Sequence, residues 1–197
     1  MSACILTFLI FAAGLFVCKM LYVFATAGAL PITQGAVFTS TAAVRIKSFL
    51  DAVPMNDTAL LVDLGCGDGR VLRAAQRRYG VKALGFEVNA LAYGVARILS
   101  LPMKGVQIRC KDFWSENLQD ADVVFCYLFP DVMRRLATKL EKELRPGARV
   151  VSCNFPVPGW NPLAVVRPES ACHSDPIYVY RLPDSCPSTE IITGSTP

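Results

Sequence analysis

From residue 60 onward, short apolar runs alternate with stretches in which apolar residues recur every three or four positions. Residues 60–63, 81–87, 106–112, 122–128 and 148–154 have the length and apolar content of strands. Between them a helical pattern starts at Val71, and a second carries Leu91, Val95, Ile98 and Leu99. A third sets Val132, Met133, Leu136, Leu140 and Leu144 on one face with charges between them, then stops at Arg145-Pro146-Gly147. Strands alternating with helices of this length predict an α/β fold, a parallel sheet with helices on both faces.

Upstream the pattern changes. From Ala3 to Leu30 the only charged residue is Lys19, and a span such as 2–22 is long enough to cross a bilayer. Lys19 would cost about 2.5–3.5 kcal/mol at a helix centre, but near the end it snorkels to the interface. About a dozen strongly apolar residues, each contributing roughly −0.3 to −0.6 kcal/mol, outweigh it. Lys19, Arg45 and Lys47 follow the apolar core and no Lys or Arg precedes it, which places the following chain on the cytoplasmic side. Ala25-Thr26-Ala27 also matches a signal-peptide cleavage site, yet no positive side chain precedes the apolar stretch. The expected organisation is a transmembrane anchor over 1–30, one domain over 31–182, and a disordered Pro-, Ser- and Thr-rich tail over 183–197.

Composition narrows the chemistry. At 197 residues the chain can bury one proper core, and a formal charge of +4, from 20 basic and 16 acidic residues, is too diffuse to argue for nucleic acid. Arg70, Arg73, Arg77 and Arg78 cluster on one helix, where a solvated face explains them. The eight cysteines form no C-x-x-C pair and His173 is the sole histidine, so no metal site is expected. Scattered cysteines in apolar runs suit buried free thiols in a reducing compartment.

The chemistry-bearing segment follows the first strand: Asp63-Leu64-Gly65-Cys66-Gly67-Asp68-Gly69. Alternating glycines permit positive φ and remove Cβ atoms that would hold a ligand away from the backbone. Exposed N–H groups and the helix dipole then favour an anionic group at this turn. The dinucleotide fingerprint G-x-G-x-x-G fails here, because Arg70 stands where its third glycine belongs. Some twenty residues on, the second strand ends in Glu87, the position from which nucleotide-binding α/β folds hold both ribose hydroxyls. Asn89 has two readings, a residue facing the cofactor or the N-cap of the next helix. Ligands bind outside the carboxyl ends of the strands in such sheets, so Tyr127, Phe129 and Pro130 should border the reacting centre.

The Asp63 to Gly69 pattern resembles motif I of the class I S-adenosylmethionine-dependent methyltransferases, D/E-x-G-x-G-x-G. That resemblance implies a Rossmann-like sheet in the class I strand order, with 165–166 and 177–182 as a last antiparallel pair. It implies that Asp63, Gly65, Cys66, Gly67, Gly69 and Glu87 hold S-adenosylmethionine, its methionine end at the glycines. Asp112 would meet the adenine amine and Phe113 the ring; Asp112 also reads as a solvated turn residue. Asp112-Phe113-Trp114, the helix at Pro130, residues 140–144 and 148–151, and Phe155-Pro156-Val157-Pro158-Gly159-Trp160 resemble one smaller group. These are the lysine methyltransferases that modify the ATP synthase c subunit and the adenine nucleotide translocase, with their bacterial relatives. Residues 35–41 are similar to the pre-motif G-A-P-(Y/F)-V-P-T of that group, with Val37 and Ser40 where the pattern has proline. The similarity covers roughly residues 28–182.

What the resemblance implies is protein-lysine N-methylation, with a membrane protein as substrate and the bilayer, a mitochondrial membrane in a eukaryote, as the anchor's partner. Tyr127, Phe129 and Trp160 would wall the acceptor site, unless they are core. No general base is identified. Methylation of a small molecule, lipid or RNA would use the same cofactor residues, and a non-enzymatic protein with a decayed site is the remaining reading.

Overall fold

The computed structural model describes residues 3–28, 41–170 and 172–186. After the N-terminal helix α1 (Ala3–Gly28) come α2 (Ala43–Ala52), β1 (Leu60–Leu64), α3 (Arg70–Tyr79), β2 (Lys82–Phe86) and α4 (Ala90–Ser100). Then follow β3 (Val106–Arg109), a 3-10 turn (Phe113–Ser115), β4 (Val123–Cys126), α5 (Pro130–Glu143), β5 (Arg149–Cys153), β6 (Ala164–Val166) and β7 (Ile177–Arg181). The strands form one sheet in the order β3-β2-β1-β4-β5-β7-β6. The first five are parallel, and β7 runs antiparallel to both β5 and β6. The Rossmann-like sheet and its final antiparallel pair match the expectation.

Strand side chains alternate between two cores, as the period of two requires. Leu61, Val123, Phe125, Val151, Cys153, Ile177 and Val179 pack with α2 and with Val71, Leu72 and Ala75 of α3. Val62, Leu64, Val124, Cys126, Val150 and Tyr180 pack with Met133, Leu136 and Leu140 of α5. Helix α2 has no counterpart in the hydrophobic pattern described above. Helix α4 forms where expected but sits the other way round: Ala92, Ala96 and Ser100 are buried, while Leu91, Val95, Ile98 and Leu99 are exposed.

The backbone of α1 is helical over Ala3–Gly28 and lies against α4. Among the described residues, no helix is long and apolar enough to cross a membrane. At the other end, 183–186 of the expected disordered tail form a turn in which Ser185 is buried and its carbonyl accepts the Asn161 N–H at 2.8 Å. Residues 187–197, and 35–40 of the pre-motif, lie outside the described residues.

Candidate functional site

The turn between β1 and α3 adopts the conformation its glycines allow: φ is +83° at Gly65, +55° at Gly67 and +75° at Gly69. Five of its N–H groups, however, are already bonded within the protein. Those of Gly65 and Cys66 both donate to the Phe86 carbonyl, at 3.0 and 2.9 Å, and that of Gly69 to the Cys66 carbonyl at 2.8 Å. The Gly67 N–H donates to Glu87 Oε2 at 2.9 Å, and the Arg70 N–H to Asp68 Oδ1 at 3.1 Å. Asp68 thus supplies a carboxylate of the protein's own at the start of α3, clasped by the Arg70 guanidinium at 2.7 Å. Burial works to raise the Asp68 pKa, but the hydrogen bonds and charge of Arg70 hold it below the ordinary value. Of the donors expected to cradle an anion, those of Gly65, Cys66, Gly67, Gly69 and Arg70 are thus bonded to Phe86, Glu87, Cys66 and Asp68.

Acidic groups gather behind the turn. Asp63 is buried, and burial, then the charges of Glu87 and Asp68, push its pKa well up. Glu87 is also buried; its Oε1 accepts the Asn89 N–H at 2.8 Å, so one carboxylate braces both the turn and the entry to α4. Asn89 is the N-cap of α4, its side chain accepting from the Leu91 and Ala92 N–H groups at 3.0 and 3.1 Å. Asp112 is exposed and caps the 3-10 turn through the Trp114 N–H at 3.0 Å, presenting half-buried Phe113 beside it.

Across the sheet edge, Cys126 of β4 pairs with Leu64 of β1, which puts Tyr127 next to Gly65. Tyr127 is half-buried, and Phe129 and Pro130 are exposed at the start of α5. Trp160 stands apart. It is buried, its ring lies edge-on to Tyr180 at 5.5 Å, and its Nε1–H donates to Glu141 Oε1 at 2.6 Å. The core reading fits Trp160.

Four residues at this edge escaped the sequence reading. Arg45 of α2 is buried with its guanidinium 5.3 Å from the Tyr127 ring centroid, and its Nη2 pairs with Asp175 Oδ2. Its Nε and Nη1 are buried without a hydrogen-bond partner. Asp175 reaches the site because β7 is antiparallel, so the residues before it lie at the carboxyl ends of β4 and β5. Asn154, directly after β5, has φ +73°. A Cβ at Gly85 would lie 2.6 Å from Cys66 Sγ and from Leu72 Cδ1, so only glycine lets the turn close on β2. One signal was available: Arg45 lies four residues before Phe49, on the apolar stripe of α2.

These residues suit S-adenosylmethionine. A buried carboxylate at the end of β2 can accept ribose hydroxyls, Phe113 offers an aromatic surface, and Arg45 holds donors that lack an acceptor. Among the described residues, no group of side chains could hold a metal ion.

A family model for the ANTKMT methyltransferase domain matches residues 63–164. A protein-lysine N-methyltransferase of Saccharolobus islandicus is 34% identical over 140 residues, covering 68% of this chain and 86% of that protein. The mouse adenine nucleotide translocase lysine N-methyltransferase is 42% identical over 109 residues, and the human lysine N-methyltransferase of the ATP synthase c subunit 37% over 106. These alignments cover 54% and 52% of the chain, and only 48% and 45% of the two relatives. Among solved structures, an RNA methyltransferase of Salinibacter ruber bound to S-adenosyl-L-homocysteine superposes with a TM-score of 0.70 at 29% identity. That superposition covers 76% of this chain and 97% of the other.

Proposed function

We propose, given that the chain belongs to the ANTKMT methyltransferase domain family and is therefore an S-adenosylmethionine-dependent methyltransferase, that it methylates the ε-amine of a lysine in a membrane protein. The observation that carries the acceptor class is the 34% identity to the Saccharolobus protein-lysine N-methyltransferase, across most of that protein's length.

Bound S-adenosylmethionine supplies an electrophilic sulfonium methyl. In this reading Glu87 holds the ribose hydroxyls, Asp112 and Phe113 the adenine, and Gly65, Cys66, Gly67 and Gly69 allow close approach of the methionine end. Asp63, buried behind the turn, completes the cofactor set. Tyr127, Phe129 and Pro130 form the acceptor mouth, where Phe129 can lie along the apolar stem of a lysine and meet its cationic head. The amine must lose its proton before it attacks. Free lysine has a pKa of about 10.4, and an apolar mouth lowers it by disfavouring the charged form. The remaining work is alignment of the two reactants.

The apolar sequence of α1 supports the further reading that residues 1–30 anchor the enzyme in the bilayer, with the domain at 31–182 on the cytoplasmic side. Anchoring confines the site to the layer beside the membrane, which favours a target in that membrane. Incubating membranes that lack this enzyme with the purified protein and methyl-labelled cofactor should label a discrete protein band. Acid hydrolysis of the band should release methyl-lysine. Label recovered only in RNA, lipid or small metabolites would overturn the lysine reading and leave the methyltransferase assignment intact.

A further inference from the structure

The cofactor brings a carboxylate to a turn where five of the N–H donors are bonded elsewhere. In the glycine turn the N–H groups of Gly65, Cys66, Gly67, Gly69 and Arg70 all have protein acceptors, and Asp68 adds a negative charge at the start of α3. A second carboxylate placed there would meet repulsion and bonded donors. The nearest cation of the turn, Arg70, is committed to Asp68 through Nε and Nη2.

Arg45 is in the opposite condition. Its side chain is 4% exposed, and one of its three nitrogens pairs with Asp175. The other two are buried donors without acceptors. A buried donor left unpaired destabilises a fold by about 1–3 kcal/mol, more for a charged group, so such a residue persists where a ligand supplies the missing acceptor. Its position is suitable. The ring of Tyr127 beneath it belongs to the residue after Cys126, and Cys126 pairs with Leu64, the residue before Gly65. One helical turn earlier, the Thr41 carbonyl accepts from Arg70 Nη1 at 3.4 Å, so the start of α2 leans on the glycine turn from the same side. Arg45 thus stands one strand away from the turn, against the ring of the residue that follows β4.

We infer that Arg45 is the cofactor's carboxylate clamp: its guanidinium bridges the methionine carboxylate on one side and Asp175 on the other. Planar guanidinium groups suit this task, since their five N–H donors can serve two carboxylates at once. The inference rests on the cofactor assignment and is independent of the methyl acceptor.

Two ligands separate the carboxylate from the rest of the cofactor. S-adenosylhomocysteine carries the amino-acid end, whereas 5′-methylthioadenosine keeps adenine, ribose and sulfur but lacks it. In calorimetric titrations Arg45→Met should weaken S-adenosylhomocysteine binding about 10- to 100-fold, the range of a charge-assisted hydrogen bond, and leave methylthioadenosine binding unchanged. Asp175→Asn, at a half-exposed side chain, removes the competing carboxylate and should tighten S-adenosylhomocysteine binding several-fold, again without effect on methylthioadenosine. Unchanged ratios of the two affinities would overturn the clamp. Equal losses for both ligands in Arg45→Met would overturn it too, since they would trace to the shape of the site. If Arg45→Met does not fold, Asp175→Asn alone decides. Wild-type protein that binds neither ligand would fail the cofactor assignment itself, an outcome distinct from either.

Discussion

Helices α4 and α5 carry the same kind of apolar periodicity but meet the sheet in opposite senses. On α5 the large residues Met133, Leu136 and Leu140 are buried and Arg134, Arg135 and Glu141 face outward. On α4 the small residues Ala92, Ala96 and Ser100 face inward, and Leu91, Val95, Ile98 and Leu99 are 38–66% exposed. The reason is spacing. A Cβ at Gly69 would lie 3.5 Å from the Ala96 methyl, so α4 passes close to the glycine turn at the start of α3, where small side chains fit. Periodicity therefore shows that a helix has two faces, while backbone separation decides which one turns inward.

Substitutions on the two helices should separate these cases. The largest effect is expected from Leu140→Ala on α5, about 2–5 kcal/mol of stability in urea unfolding, because the residue is fully enclosed and leaves a cavity. Ala96→Leu on α4 should cost about 1–3 kcal/mol by overpacking the crossing with α3. A neutral result there would mean that the crossing can open. Ile98→Gln, two residues further along, should change stability by no more than about 0.5 kcal/mol. A loss comparable to that of Leu140→Ala would show that the outer face of α4 is covered in solution and would erase the contrast.

The same contrast explains what was legible in the sequence. The five parallel strands and α3, α4 and α5 follow from local pattern, because one residue's environment repeats at a fixed interval. Glu87 was placed by its distance from the glycines, and it does reach the turn. Three features depended on residues far apart in the chain. The N–H groups of Gly65, Cys66 and Gly67 are taken by Phe86 and Glu87, a consequence of how closely Gly85 lets β2 approach. Arg45 and Asp175 are 130 positions apart and meet through the reversal of β7. Trp160 looked like part of an aromatic opening, but a chain leaving β5 can turn either way, and its indole bonds to α5. The place of Tyr127 and Phe129 beyond the end of β4 was readable from local pattern; the Arg45 guanidinium over the Tyr127 ring was not.

The cysteines of the sheet have a practical consequence for anyone wishing to observe this enzyme at work. Cys66, Cys126 and Cys153 are buried, and burial raises all three thiols, that of Cys126 to about 12. Since the thiolate is the reactive form, these three stay silent toward maleimides and peroxide at neutral pH. Cys110 is exposed, directly after β3 and two residues before Asp112. A fluorophore attached there, with Cys4, Cys18, Cys172 and Cys186 replaced by serine, would sit beside Asp112 and Phe113. Arrival and departure of the nucleoside could then be timed optically in the native sheet, with no alteration of the core.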